Sequence, residues 1–337
     1  MNLILWHRSW NLQKLLDKIQ NNSNQMIRVL GAEEYAIMGW DDPNNEKILR
    51  QIKEEISASS NTVEFVCGGF PTSNSFHPGK NVTYWTTFWP TKTWYELNKW
   101  GHVANNNKFT KAYVNLNNKP WHFRCEMLDQ LSKRDLISKG AISWNETNKD
   151  YDFKHWKQER LIIDPEYAET TEQYGSFPPA FLESFMSLVN ESTMDTIFPT
   201  EKTYTPIYFK KPFLVWSVPN FHKALQELGF ELYDEVFNYD FDSIPNRTER
   251  YNRLLQNFKD LKNHNSTELY EKIQDKIEYN RKHAIKIATQ LLYAPDIITE
   301  TLKIHNTGER VDSLSFEIIT QLLPQSINTF IRLHGEL

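Results

Sequence analysis

The sequence predicts an α/β protein in two domains, each a parallel sheet with helices on its faces. Three observations carry this. Short apolar runs of strand length alternate with longer segments whose apolar residues recur at helical spacing. The alternation restarts after a polar tract, "NNNK" at 105–108, so the pattern occurs twice. A chain of 337 residues also exceeds what one small core holds.

In the first half, "NLILW" (2–6) reads as a buried strand and "NLQKLLDKIQ" (11–20) as an amphipathic helix. "MIRVLG" (26–31) is a strand ended by glycine, and "NNEKILRQIKEEIS" (44–57) is a helix entered through Asp-Pro. "TVEFVCGGF" (62–70) is a strand stopped by two glycines, "NVTYWTTFW" (81–89) alternates like another, and "TKTWYELNKW" is helical. In the second half, "FTKAYVNLNN" (109–118) is a strand. "HFRCEMLDQLSKRDL" (122–136) follows as a helix with Phe123, Met127, Leu128 and Leu131 on one face. "GAISW" (140–144) is a strand, and 146–176 is a polar, irregular insertion. "AFLESFMSLVNES" (180–192) holds a helix turn and a strand. "TEKTYTPIYFK" (200–210) is a short helix and "PFLVWSV" (212–218) a strand. "NFHKALQELGF" (220–230) is a helix closed by Gly229, the usual left-handed cap residue. From Arg247 toward His305 the pattern is charged and helical. The expected division is 1–107, 108–305 and a helical tail, 306–337, packing back on the first domain.

Composition narrows the function. The 39% hydrophobic and 24% charged residues suit a globular chain. Eleven tryptophans fill two cores or line grooves for sugars and other flat polar ligands. A net charge of −5 gives no support to wholesale nucleic-acid binding. Two cysteines, Cys67 and Cys125, are too few for a disulfide framework or a cysteine zinc site. No apolar run approaches 18 residues, and "MNLILWHRSW" lacks the basic start and cleavage site of a signal peptide. The expected location is cytoplasmic, in the host cytoplasm if the Asn-, Lys- and Ile-rich composition reflects a virus or phage.

Two strand–loop–helix units carry the chemistry. In "YVNLNNKPWHFRCEMLDQL" a strand ends in Asn115 and Asn117, and Arg124 sits in the first turn of the next helix. Ligands of open α/β sheets bind outside the carboxyl ends of strands, and helix starts with an arginine favour phosphate. The competing reading is a surface arginine paired with Glu126 or Asp129. In "FPTEKTYTPIYFKKPFLVW", Thr200 is the expected N-cap. Glu201 suits the helix dipole and Lys202 opposes it, which an anion held there would explain. Glu201 suits a ribose diol. Lys210 and Lys211 read as a solvated helix end, where cations suit the dipole.

Taken together these units resemble the alpha-1,3-fucosyltransferases, a two-domain GT-B family. The matching residues are "RCEMLDQL" (124–131), an R-x-x-x-x-[DE]-x-L helix start, then Phe198, "TEK" (200–202), "KPFLVW" and "SVP" (217–219). The match runs over 109–245; the first 108 residues carry no family motif. The resemblance implies two Rossmann-like domains facing a cleft, with a helical C-terminal segment. It implies Arg124 and Lys202 on a nucleotide diphosphate and Glu201 on the ribose. Asn115, Asn117, Phe198, Thr200 and Ser217 line the same donor site. Phe198 replaces the family's usual tyrosine, so a hydroxyl contact there is lost. The implied activity is inverting and metal-independent transfer from a nucleotide-diphosphate sugar, GDP-fucose being the candidate, with no further cofactor.

The rival is a metal-dependent transferase using "DFD", Asp240 to Asp242. That motif lies far toward the C-terminus, after a helix, where acidic surface loops are common. The histidines show no metal-ligand spacing, so no metal site is expected. A base for the acceptor hydroxyl is expected in the first domain. His7, Glu33, Glu34, Asp41 and Asp42 are candidates with nothing to separate them. Trp85, Trp89, Trp94 and Tyr95, in the aromatic–basic stretch 83–100, would form an acceptor groove or, on the competing reading, a core strand and an amphipathic helix. Three functions are carried forward. One is a glycosyltransferase acting on a glycan or other hydroxyl acceptor. Another is a viral or phage enzyme placing sugar on a modified DNA base. The last is a non-catalytic sugar-nucleotide or glycan-binding module.

Overall fold

A computed structural model describes residues 2–6, 12–22, 26–32, 46–67, 82–85, 89–90, 93–94, 108–117, 119–144, 150–157, 161, 163, 179–194, 197–261 and 265–290. The chain divides into two compact units, one of Met1–Tyr95 with Ile285–Leu337, the other Glu96–Ala284. The fold is α/β, and both sheets are parallel.

The first unit holds β1 (Asn2–Trp6), β2 (Met26–Ala32), β3 (Thr62–Cys67) and β4 (Val82–Trp85), hydrogen-bonded in that order. Helices α1 (Leu12–Gln20) and α2 (Glu46–Ala58) pack on each other. They bury Leu15, Leu16 and Ile19 from one and Ile52 and Ile56 from the other, the apolar stripe that period 3.6 demands. Asn61 is wholly buried and its amide donates to the Ile19 and Asn22 carbonyls at 3.1 and 2.7 Å, tying the end of α1 to the approach to β3. Trp89 and Trp94 are 7% and 4% exposed. Such burial is what the core reading of this stretch expects of the two rings. Trp85 ends β4. His7, Glu33, Glu34, Asp41, Asp42 and Tyr95 lie outside the described residues.

The second unit is built on β5 (Lys111–Asn117), β6 (Gly140–Trp144), β7 (Ser184–Asn190) and β8 (Phe213–Trp216). Their spatial order is β6-β5-β7-β8. The chain therefore leaves β5 to one side to form β6, then crosses to the other side to form β7. The point between β5 and β7 where the winding reverses is where doubly wound sheets open a crevice at their carboxyl edge. All residues of β7 and β8 are buried, as parallel strands covered on both faces are. Gly140 lies opposite Tyr113, where a Cβ would come within 2.5 Å of the phenol ring; glycine lets β6 pair there.

Around this sheet run α3 (His122–Lys133), α4 (Pro179–Leu182), α5 (Glu201–Tyr208) and α6 (Phe221–Glu227). They are followed by α7 (Arg247–Leu261), α8 (Ser266–Lys272) and α9 (Gln274–Gln290). Helix α7 closes one face through edge-to-face ring pairs, Tyr113–Phe258 and Trp216–Tyr251, each at 5.0 Å. Gly229 has φ 92° just beyond α6, the left-handed cap expected of it.

Lys211 departs from expectation. It is 1% exposed rather than solvated. Its Nζ donates to the Ser184 carbonyl and lies 5.8 and 5.3 Å from the ring centroids of Phe109 and Phe181. The cause is local. Lys210 adopts a left-handed conformation (φ 54°), which turns the chain inward ahead of β8. Lys210 keeps its charge at the surface by pairing with Glu278 on α9. Burial lowers the Lys211 ammonium from its ordinary value to about 7. Among the described residues no helix is long and apolar enough to cross a membrane.

Candidate functional site

The carboxyl edge of the second sheet collects the polar side chains that its core excludes. Asn115 and Asn117 on β5 and Asn190 on β7 are 1%, 3% and 1% exposed. Buried amides are tolerated only when bonded, and these bond to each other in one direction. Asn115 Nδ2 donates to the Leu188 carbonyl at 2.6 Å, and Asn117 Nδ2 donates to Asn115 Oδ1 at 2.6 Å. Asn190 Nδ2 donates to Asn117 Oδ1 at 2.8 Å. A backbone carbonyl only accepts, so it sets the direction of all three amides. The relay ends on Asn190 Oδ1, an acceptor with no partner among the described residues.

Arg124 enters from the first turn of α3 and is 4% exposed. Among the described residues no carboxylate side chain bonds it. Its Nη1 donates to the Lys119 carbonyl and its Nη2 to the Glu191 carbonyl, both at 3.2 Å, and its Nε has no partner among the described residues. The surface pairing with Glu126 or Asp129 does not form. Glu126 pairs with Arg247, and Asp129 accepts the backbone N–H groups of His155 and Trp156 at 2.6 and 2.8 Å. Burial pulls the Arg124 guanidinium below its ordinary value, against Glu191 and Glu201, and it remains a cation.

On the other side of β7, Thr200 is extended and caps α5, its Oγ1 accepting from the Lys202 N–H at 3.3 Å. Lys202 Nζ donates to Ser192 Oγ at 3.1 Å and pairs with the Glu201 carboxylate. Arg124 thus reaches Glu191, and Lys202 reaches Ser192. Two cations from different helices converge on consecutive residues just past β7. Ser217 joins the same segment, donating to the Thr193 carbonyl at 3.4 Å. Phe198 is 3% exposed.

Sequence reasoning missed Glu191. It is wholly buried and accepts four hydrogen bonds. They come from Thr200 N–H at 2.9 Å, Thr200 Oγ1 at 2.7 Å, Thr203 Oγ1 at 2.6 Å and Ser192 N–H at 3.0 Å. Burial raises its carboxyl above the ordinary range, while Lys202 and the hydroxyls of Thr203 and Thr200 oppose the rise. The available signal was an acid directly following an apolar strand, "SFMSLVNE", ahead of a threonine-rich helix start. Arg250 was missed as well. It is 5% exposed, stacks 5.2 Å over Trp216 and donates to the Ser217 carbonyl at 3.1 Å.

The "DFD" carboxylates do not face a common point. Asp240 is exposed and bonded to Asn238. Asp242 caps α6, its Oδ1 accepting the N–H of His222 and its Oδ2 that of Lys223, both at 3.0 Å, and it bonds His222 Nδ1 at 2.8 Å. His222 Nε2 accepts from Val215 N–H at 3.1 Å, which fixes the tautomer. Among the described residues no group of three or more His, Cys, Asp or Glu side chains is placed to hold a metal ion.

Comparison with protein-family models, curated proteins and solved structures returns no match. The geometry therefore stands by itself. It offers fixed positive charge, hydrogen-bond donors and one oriented acceptor at a sheet's switch point, suited to an anionic ligand carrying hydroxyl groups.

Proposed function

We propose that the chain is a GT-B glycosyltransferase that uses a nucleotide-diphosphate sugar, with the second unit binding the donor. One observation carries this reading: Arg124 and Lys202 converge on Glu191 and Ser192 at the switch point between β5 and β7. Diphosphates bind at such points, where helix starts and planar guanidinium donors match their oxygens. In this reading Arg124 and Lys202 hold the diphosphate and stabilise charge as it leaves. Glu201 accepts from the ribose diol, and Lys202 exchanges its pairing with Glu201 for the phosphate. The first unit supplies the acceptor site and the base. GDP-fucose is the donor to test first, and the acceptor is a glycan or another hydroxyl.

The test is calorimetry with GDP, UDP and ADP. Lys202→Ala and Glu201→Ala each weaken binding by about tenfold or more, since hydrogen bonds to charged groups contribute about 1.5–3 kcal/mol. Circular dichroism should remain that of the parent. Unchanged affinity for all three nucleotides would remove the donor-site assignment.

A further inference from the structure

Three large apolar side chains are exposed among the described residues: Leu116, Trp121 and Tyr279. Leu116 lies near the end of β5 and Trp121 at the end of the loop into α3. One lies near the end of β5 and one in the connection from β5 to α3, on the side of the sheet where Arg124 enters.

Trp121 is 53% exposed, yet its backbone is held fast. Its N–H donates to the Lys119 carbonyl at 3.0 Å, and its own carbonyl accepts from Arg124 and Cys125 N–H at 2.8 and 3.0 Å. Arg124 Nη1 donates to that same Lys119 carbonyl at 3.2 Å. Indole and guanidinium are thus mounted on one rigid turn.

Local structure does not explain the residue type. Trp121 occupies the N-cap of α3 and makes no side-chain cap bond, where Ser, Thr, Asp or Asn would make one. Core packing does not explain it either, because about half of the side chain faces solvent. An indole left in water three residues before a buried arginine whose Nε has no partner among the described residues fits a ligand with a flat ring joined to an anion. The Trp121 carbonyl accepts from the Arg124 N–H at 2.8 Å, so one ligand carrying a flat ring and an anion can meet both residues.

We propose that Trp121 is the stacking platform for the base of the nucleotide donor. The proposal rests on the nucleotide-diphosphate reading and adds to it the residue that recognises the base. Stacking is tolerant of base identity, so Trp121 supplies affinity rather than choice among bases.

The experiment is calorimetric titration of the full chain, as parent, Trp121→Ala and Trp121→Phe, with GDP and with inorganic pyrophosphate. Base–aromatic stacking of ordinary strength makes Trp121→Ala bind GDP about tenfold more weakly than the parent. Pyrophosphate affinity stays unchanged, and Trp121→Phe recovers most of the GDP affinity. GDP binding unaffected by Trp121→Ala, or GDP and pyrophosphate weakened alike, overturns the stacking role and leaves the donor site standing. Failure of the parent to bind either ligand overturns both.

Discussion

Burial sets the energetics of Lys211. A buried ammonium is held by the Ser184 carbonyl and two aromatic faces, and among the described residues no carboxylate bonds it. Because burial lowers its pKa from 10.5 to about 7, the unfolded chain binds more protons than the folded one between those values. Stability from this group is therefore full above 10.5 and is lost as pH falls toward 7. The urea midpoint of the parent should rise between pH 7 and pH 9 relative to that of Lys211→Met. Parallel midpoints for the two proteins would show that the amine does not titrate in that window. Arg124, Glu191 and Lys211 make the same point about legibility. Their charges are visible in the sequence, but whether a charge faces water is set by residues tens of positions away.

At the scale of elements, α6 shows how one side chain holds a helix start. Its N-cap, Asn220, is left-handed (φ 63°) and makes no cap bond, so the task passes to Asp242 from a later loop. Burial opposes the charge of Asp242, but bonds from His222 and from two backbone amides outweigh it and hold the carboxyl below its ordinary 3.8. Replacing Asp242 by Ala should cost about 2 kcal/mol at neutral pH, through the lost cap and the unpartnered His222 ring. The deficit, read by urea titration, should shrink as pH falls below 3.8, because the parent loses the same stabilisation when Asp242 takes up a proton. A deficit constant down to pH 2 would assign the loss to packing. Helix α5 was easier to read from sequence. Thr200 before Glu201 is a local cap signal and needs no partner from elsewhere.

At the scale of the whole molecule, the donor reading predicts linkage between nucleotide binding and stability. A ligand that binds only the folded state, at a hundredfold excess over its Kd, adds about 2.7 kcal/mol. For a domain in this size range that raises Tm by about 5–10 °C. GDP or another nucleoside diphosphate should give such a shift in the presence of EDTA. A shift seen only after Mn²⁺ is added would transfer the phosphate contacts to a metal and weaken the assigned roles of Arg124 and Lys202.

The sequence by itself determined the parts that depend on neighbours along the chain. These are the alternation of strands and helices, the cap at Thr200, the left-handed Gly229, and the two units bearing Arg124 and Lys202. Period and capping are local properties, so they survive in a one-dimensional reading. Tertiary structure decided the rest. The strand order placed β5 beside β7 and so brought Asn117 next to Asn190 and Arg124 next to Glu191. It buried Lys211, Trp89 and Trp94 and left Trp121 exposed. Each of these outcomes depends on which segments cover a side chain, and that follows from packing between residues far apart in sequence.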